Sequence, residues 1–275
     1  MCQHCVTHGA DGGKWYLNAA NYARRMYRIR KEEIERQGEE VNQAMMAAAI
    51  IQEAVEASVL DPGQFPEIKQ RAEQLSLAYH FGQVVTLDEV QAIMDIAYPI
   101  ARMTCLCRRE MRGTPDKDNM YCVGIGVGMY KWERAAETYR GGVEFLSPTA
   151  AKQWLAEVNK MGLVHTFWTF GTPYIGGICN CEYPVCLGIR NRIDYDLGIL
   201  IKGEHVAKVD YSLCTGCGAC MERCQFGALK REVSIDKINV NGLRCFGCGL
   251  CATGCPNGAI TMIDRNTLPV LKDKW

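Results

Sequence analysis

Apolar side chains recur at helical spacing through the first hundred residues. Between residues 14 and 60 they return every three or four positions, and the polar run 36–40 divides the pattern into two helices that we expect to form an antiparallel hairpin. Two further helices are predicted at 66–81 and 87–97. Residues 1–100 are therefore expected to form a mostly helical region.

Helical and β-prone patterns alternate in the rest of the chain. Ser147 is a good N-cap for a predicted helix at 149–161, as Thr86 is for the last helix of the first region. The run 163–170 alternates in the manner of a β-strand, and His165 stands in it among apolar neighbours. We therefore predict a strand here, with His165 as a core histidine.

The 275 residues are enough for two or three domains. We predict an α+β protein made of the helical region 1–100, a cysteine-rich α+β domain at 101–202 and a smaller domain at 203–275. Short β-prone runs flank the cysteines of the last region.

Two similar cysteine runs dominate the C-terminal region. Three cysteines separated by two residues each, mostly small ones or glycine, can curl into a tight loop that supplies three thiolates to a [4Fe-4S] cube. A fourth cysteine follows each triplet, and the whole unit recurs after about thirty residues. The eight cysteines are Cys214, Cys217, Cys220, Cys224, Cys245, Cys248, Cys251 and Cys255.

These eight cysteines, with Pro256 after the last, resemble the bacterial-type 2[4Fe-4S] ferredoxin. The resemblance implies a ferredoxin-like fold for 203–275, two [4Fe-4S] clusters, and a fourth cysteine from each run that binds the other run's cluster. Gln225 departs from the family, which usually has proline there. Zinc knuckles are the alternative, but two quadruplets do not fit their paired spacing. The implied ligand sets are Cys214, Cys217, Cys220 and Cys255 for cluster 1, and Cys245, Cys248, Cys251 and Cys224 for cluster 2.

Eight of the sixteen cysteines remain after this assignment. Six lie in the middle region, where two Cys-x-Cys pairs would fill a core poorly because neighbouring side chains point in different directions. We predict at least one additional metal site there, iron–sulfur rather than zinc, with buried free thiols as the alternative. The six residues are Cys105, Cys107, Cys122, Cys179, Cys181 and Cys186.

The N-terminus carries a further candidate site. Cys2, Cys5 and His8 are close enough in sequence to reach one metal, although they could instead be reduced surface thiols at a frayed end. Together with the six middle cysteines, these residues could hold one or two additional iron–sulfur clusters. The middle region also resembles uncharacterised multi-cluster ferredoxin-like proteins of anaerobes, which carry Cys-x-Cys and Cys-Asn-Cys runs ahead of a dicluster ferredoxin.

Residues beside the middle cysteines suggest how such a site would be supported. Arg108, Arg109 and Arg112 could offset the charge of a cluster or of a substrate phosphate, or could be ordinary surface charge. The glycine-rich run 122–128 lacks the spacing of a dinucleotide fingerprint. We expect it to be a loop that passes close to a cluster bound by Cys122.

Charge and hydropathy narrow the choice of partners. Lys and Arg together number 31, as do Asp and Glu. The chain therefore lacks the net positive charge that would favour binding to nucleic acid. The most apolar stretch, 44–51, is too short for a membrane span. The N-terminal residues show neither the basic nor the apolar part of a secretion signal. We therefore expect a cytoplasmic protein with no membrane span and no nucleic-acid partner.

The cysteine pattern favours electron transfer. We expect an electron-relay subunit of a larger anaerobic oxidoreductase complex, with redox proteins as partners and [4Fe-4S] clusters passing single low-potential electrons. One alternative is a redox enzyme that acts on a disulfide, thiol or thioester at a cluster of the middle domain. Another is an iron–sulfur sensor, since helix 149–161 and the strand after it resemble a winged-helix segment. No radical S-adenosylmethionine motif, P-loop or nucleophile elbow occurs, and no catalytic residue is assigned.

Overall fold

The computed structural model describes most of the chain. The described residues are 3–22, 49–113, 118–126, 129, 143–169, 175–272 and 274. Most of the predicted N-terminal hairpin, including its polar break, lies outside them.

A seven-stranded sheet forms the centre of the larger unit, which precedes residue 203 and which we call the sheet unit. Its strand order is β4-β2-β3-β6-β5-β1-β7, and described neighbours are antiparallel except the β1–β7 edge pair, which is parallel. The sheet takes strands from both sides of residue 100, where a division between two regions is predicted. The strands are β1 Gly82–Val85, β2 Ile100–Met103, β3 Cys122–Ile125, β4 Val143–Leu146, β5 Val164–Thr169, β6 Ile175–Cys181 and β7 Leu200–Ile201.

Helices connect and cover these strands, and the mixture confirms the predicted α+β class. Residues 49–60 are also helical. The helices with described ends are α1 Gln3–His8, α2 Phe65–Tyr79, α3 Leu87–Ile96, α4 Leu106–Arg112, α5 Pro148–Lys160, α6 Leu187–Asp194, α7 Ala219–Glu222 and α8 Leu250–Thr253. In the described part of the chain, each helix is too short or too polar to cross a membrane.

The two predicted N-caps are confirmed. The Thr86 hydroxyl accepts from the Glu89 amide at 3.3 Å, and the Glu89 carboxylate accepts from the Thr86 amide at 2.9 Å, which makes a capping box at the start of α3. The Ser147 hydroxyl accepts from the Ala150 amide at 3.2 Å at the start of α5. Both caps satisfy amides that the first turn of a helix leaves without partners.

The continuous helix predicted from residue 14 is wrong at its start. Trp15–Leu17 is a single 3₁₀ turn, and Asn18 after it is extended. Trp15 and Tyr16 are both fully buried, so the turn has to direct two consecutive rings into the core, which one face of an α-helix cannot do. The Asn21 side chain holds the turn by donating from its Nδ2 to the Trp15 carbonyl at 2.7 Å.

The largest hydrophobic core, which we call the main core, lies between the sheet and helices α3 and α5. Fully buried residues from the N-terminal turn, both helices and the strands meet there, with Phe167 of β5 packed against the rings of Trp15 and Tyr16. His165 is a core histidine, as predicted: it is fully buried and bonds Asn180 at 2.6 Å and Asn159 at 3.1 Å. Burial lowers the pKa of His165 to about 4.

The glycine-rich run forms a strand at Cys122–Ile125, so the predicted loop is wrong for these four residues. A Cβ at Gly124 would lie 2.1 Å from Sδ of Met129 and 3.1 Å from Sδ of Met103. Gly124 therefore lets two methionines pack on the strand. The strand β5 after helix α5 is likewise an interior strand of the seven-stranded sheet, and not part of an isolated winged-helix unit.

The C-terminal unit, residues 203–272, is built from two short strand pairs. β8 His205–Val209 pairs with β11 Ile260–Asp264, and β9 Leu229–Glu232 pairs with β10 Lys237–Val240. The predicted repeat is visible in the backbone, because Gly218 before α7 and Gly249 before α8 both have positive φ, at 85° and 76°. An L-residue with a side chain adopts that conformation only with strain.

Candidate iron–sulfur centres

The structure brings together the four thiols of each predicted cluster. One cavity is lined by the first three cysteines of the first run and the last cysteine of the second run. A second cavity is lined by the other combination. The sets are Cys214, Cys217, Cys220 and Cys255 around one cavity, and Cys224, Cys245, Cys248 and Cys251 around the other. Four convergent thiols of this kind fit a [4Fe-4S] cube.

The loops around the thiols depend on glycine and on backbone amides. A Cβ at Gly216 would lie 2.4 Å from the Asp236 carbonyl oxygen, and one at Gly247 would lie 2.3 Å from the His205 carbonyl oxygen. These close approaches hold each triplet loop against a strand end. The amides of Ala228 and Ala259 donate to the sulfurs of the cysteines four residues earlier, Cys224 and Cys255, both at 3.3 Å. Amide donors of this kind tune the potential of a cluster.

The two cavities differ in their access to solvent. Cys217 of the first set is exposed, whereas every thiol of the second set is buried or half-buried. Burial raises the pKa of Cys248 to about 12. A ligand thiol has to lose its proton, so in this setting the positive charge of iron has to favour the thiolate.

The six middle cysteines form one connected cluster, which we call the six-thiol group. Sheet register places Cys122 of β3 opposite Cys179 of β6. Cys105 and Cys107 lie at the start of α4, and Cys186 immediately precedes α6. The thiols lie near enough to shift one another's pKa in the pairs Cys105–Cys107, Cys105–Cys122, Cys105–Cys181, Cys122–Cys179 and Cys181–Cys186.

The thiols of the six-thiol group perturb one another. Hydrogen bonds from Cys107 and Cys122 lower the pKa of Cys105. Hydrogen bonding to Cys105 and Cys179, together with burial, raises the pKa of Cys122. Cys105 therefore becomes a thiolate more readily than Cys107, Cys122 and Cys181, whose pKa values are raised.

Among the described residues, no three or more His, Cys, Asp or Glu side chains are gathered in a way that could hold a metal ion. The same finding covers the two ferredoxin sets, whose thiols have to surround a cube of several atoms and not a single ion. Binding of an iron–sulfur cluster by the six-thiol group stays a prediction.

The arginines beside the group have different roles. Arg108 is buried, forms an ion pair with Glu182 and stacks over the Tyr121 ring at 4.2 Å. Arg112 also bonds Glu182, at 3.1 Å. Arg109 pairs with its neighbour Glu110 on the surface, at 3.2 Å. Only Arg108 is therefore both buried and fixed at the group.

The six-thiol group and the cluster 2 cavity share one apolar core. Cys181 and Cys186 lie in this core with Phe226, Phe246 and other buried side chains. Two thiols of the second set, Cys224 and Cys248, pack against the same core. No sequence spacing indicates this contact, because it depends on how the C-terminal unit docks on the sheet.

Two polar residues fix that docking, and neither role was predicted. The Gln225 side chain donates to the Gly162 carbonyl at 2.8 Å and accepts from the Tyr183 amide at 2.8 Å. The Arg223 guanidinium donates to the Asn159 carbonyl at 2.8 Å and to the Lys160 carbonyl at 3.1 Å. The signal in the sequence was an amide side chain at 225, where the ferredoxin family usually has proline.

The N-terminal candidate site is only partly described. Cys2 lies outside the described residues. Cys5 belongs to helix α1 and is buried in the main core with Trp15 and Tyr16. Metal binding by Cys2 and Cys5 therefore remains a prediction.

The fold and the two quadruplets define the class of this protein as an iron–sulfur protein with an α+β architecture. Residues 213–260 match the family model for a 4Fe-4S dicluster domain. The predicted 2[4Fe-4S] ferredoxin domain at the C-terminus is thereby confirmed, and the match implies two [4Fe-4S] clusters and an electron-transfer role. No curated protein matches the chain significantly.

Proposed function

We propose that this protein is an electron-relay subunit of a larger cytoplasmic oxidoreductase of anaerobic metabolism. Two [4Fe-4S] clusters bound by the two quadruplets, and a third iron–sulfur cluster bound by the six-thiol group, pass single low-potential electrons. The observation that carries the proposal is the shared core, in which Cys181 and Cys186 pack close to Cys224 and Cys248.

The proposed order of transfer follows from burial. Cluster 1 has the exposed thiol Cys217 and would exchange electrons with a redox partner at the surface. Cluster 2 lies between cluster 1 and the sheet, since its ligands pack in the core shared with the six-thiol group. The third cluster would be the far end of the relay, with its partner on the sheet side.

Iron content tests the third cluster directly. The full chain, prepared anaerobically, should hold about twelve irons and as many acid-labile sulfides, because each cube carries four of each. Cys105→Ser and Cys181→Ser should each lower the iron by about four. Ser147→Ala, which removes the N-cap of α5 and no candidate metal ligand, should leave the iron at about twelve. About eight irons in the unmodified chain would contradict the third cluster.

Gln225 tests whether the relay depends on the docking. Gln225→Pro restores the residue usual in the ferredoxin family and removes both hydrogen bonds to the sheet unit. We expect unchanged iron content but a weaker magnetic interaction between reduced cluster 2 and the third cluster in EPR. Asn257→Ala is the control, since the Asn257 side chain donates to Thr215 within the C-terminal unit. An unchanged interaction in Gln225→Pro would mean that the docking does not depend on this residue.

A redox enzyme is the second candidate, favoured by one observation. The six-thiol group has two more thiols than a single cube uses. As two thiols, the spare pair could reduce a disulfide substrate to two thiols and become a disulfide itself, which electrons from the clusters would reduce again. Turnover of a small disulfide by the reduced protein, lost in a variant that still binds about twelve irons, would support the enzyme over the pure relay.

A further inference from the structure

A cavity of about 420 Å³ lies next to the cluster 2 cavity and has no part in holding a cluster. No cysteine lines it. We call it the cationic cavity, because its walls include Arg192, Lys202 and Arg244. Its volume is in the range of pockets that bind small molecules.

None of these three cations forms an ion pair with a carboxylate of the described residues. The acidic groups nearby are committed elsewhere. Asp196, which also lines the cavity, binds Lys69 at 2.7 Å. Glu73 accepts from the Gly198 amide at 2.8 Å and lies 3.8 Å from Lys69.

Lys202 adds a largely buried positive charge to the cavity. It is only 7% exposed, and its ammonium donates to the Leu243 carbonyl at 2.6 Å. Burial and the neighbouring cations Arg265 and Arg192 lower the pKa of Lys202 to about 8. A nearby anion would relieve this repulsion, since an opposite charge stabilises a buried ammonium.

The floor of the cavity is aromatic. Phe226 and Phe246 stack with centroids 4.1 Å apart and planes 12° apart. Arg192 and Lys202 lie over the Phe246 ring, at 5.5 and 5.7 Å from its centroid. Both phenylalanines also line the cluster 2 cavity, so they form the wall between the two spaces.

We propose that the cationic cavity binds a small molecule that carries phosphate groups on an apolar or aromatic body. The guanidinium groups of Arg192 and Arg244 suit phosphate oxygens, and the phenylalanine wall suits the body. This inference does not require the third cluster. Because the bound anion would lie beside cluster 2, it would disfavour the added electron, and binding and reduction would oppose each other.

Calorimetry on the anaerobically prepared full chain tests the proposal, with ADP and inorganic pyrophosphate as probes. Both should bind, and ADP should bind more tightly because it also covers the phenylalanine wall. Arg192→Gln and Arg244→Gln should each weaken ADP binding about tenfold, the loss of one charged hydrogen bond. Arg244 is exposed, so its variant should fold normally. Arg231→Gln is the matched control, because Arg231 is exposed and lies outside the cavity.

A second readout excludes a purely structural role for these cations. ADP should lower the reduction potential of cluster 2 in the unmodified chain, and Arg244→Gln should need about ten times more ADP for the same shift. If the cations only offset the charge of cluster 2, the variants would shift its potential although neither ADP nor pyrophosphate binds the unmodified chain. That result would contradict the proposal. The variants could instead transfer electrons more slowly to an acidic carrier protein while the unmodified chain binds neither probe. That result would assign the cavity to protein docking and would also contradict the proposal.

Discussion

The ferredoxin domain and the sheet unit collect their cysteines in different ways. In the ferredoxin domain, each predicted set takes three thiols from one loop of seven residues, and glycine turns aim them inward. In the sheet unit, the six thiols come from two strands and two helix starts that are up to eighty residues apart. A local motif can be recognised from its spacing, whereas a group assembled by strand register cannot.

The hydrophobic cores of the sheet unit and the ferredoxin domain also differ in composition. The main core of the sheet unit contains large side chains such as Trp15, Phe167 and Leu155. The buried core of the ferredoxin domain is built from aliphatic residues and from the cysteines themselves, with no aromatic ring among its described members. The ferredoxin domain should therefore depend on its clusters for folding, and the sheet unit should not.

Removal of iron should give the largest contrast between the two regions. Anaerobic chelation should abolish hydrogen-exchange protection in β8 to β11, because the domain loses the centres that its core surrounds. Helices α3 and α5 should keep their protection, since their packing is apolar. Equal loss of protection in both regions would show that the sheet unit also needs metal to fold.

Phe167→Ala should reverse this contrast. Deleting a fully buried ring leaves a cavity in the main core and should destabilise the sheet unit by about 3–5 kcal/mol. Urea unfolding followed by circular dichroism measures the loss. The visible absorption of clusters 1 and 2 should persist at urea concentrations where the sheet has unfolded, whereas that of a cluster on the six-thiol group should be lost. Phe145→Ala, at a side chain 38% exposed on β4, should cost about 1 kcal/mol or less.

Acid should weaken the sheet unit through His165. The unfolded histidine takes up its proton near pH 6.5, whereas the folded one resists until about pH 4. Stability from this residue is therefore complete above about pH 6.5, falls by about 1.4 kcal/mol per unit below it, and is lost by about pH 4. Urea midpoints between pH 7 and 5 should show this slope, and His165→Gln should flatten it. A slope that survives the substitution would assign the acid sensitivity to another group.

Ser147→Ala should have the smallest effect. The variant loses the hydroxyl that caps α5, at a cost of about 1 kcal/mol in the sheet unit and none in the ferredoxin domain. Ser147→Asp keeps an acceptor at the N-cap and should retain stability close to that of the unmodified chain. Thermal unfolding of the three proteins measures the difference; an Asp variant as weak as the Ala variant would show that capping is not the cause.

Local patterns predicted much of the fold. Thr86 and Ser147 begin helices as predicted, because a cap depends only on residues within one turn. The turn at Trp15 and the strand at Cys122 were not predicted. In both, long-range packing overrides local preference: two consecutive rings have to be buried, and two methionines have to pack on a glycine.

The sequence alone determined the dicluster domain, because all eight thiols lie in two short runs whose spacing suits a cube. It also supplied the six middle cysteines as candidates, but not their meeting. Tertiary structure decided that Cys122 faces Cys179, that the group adjoins cluster 2, and that Gln225 joins the two units. Such contacts join residues distant in the chain, and only the register of the sheet and the docking of the domains bring them together.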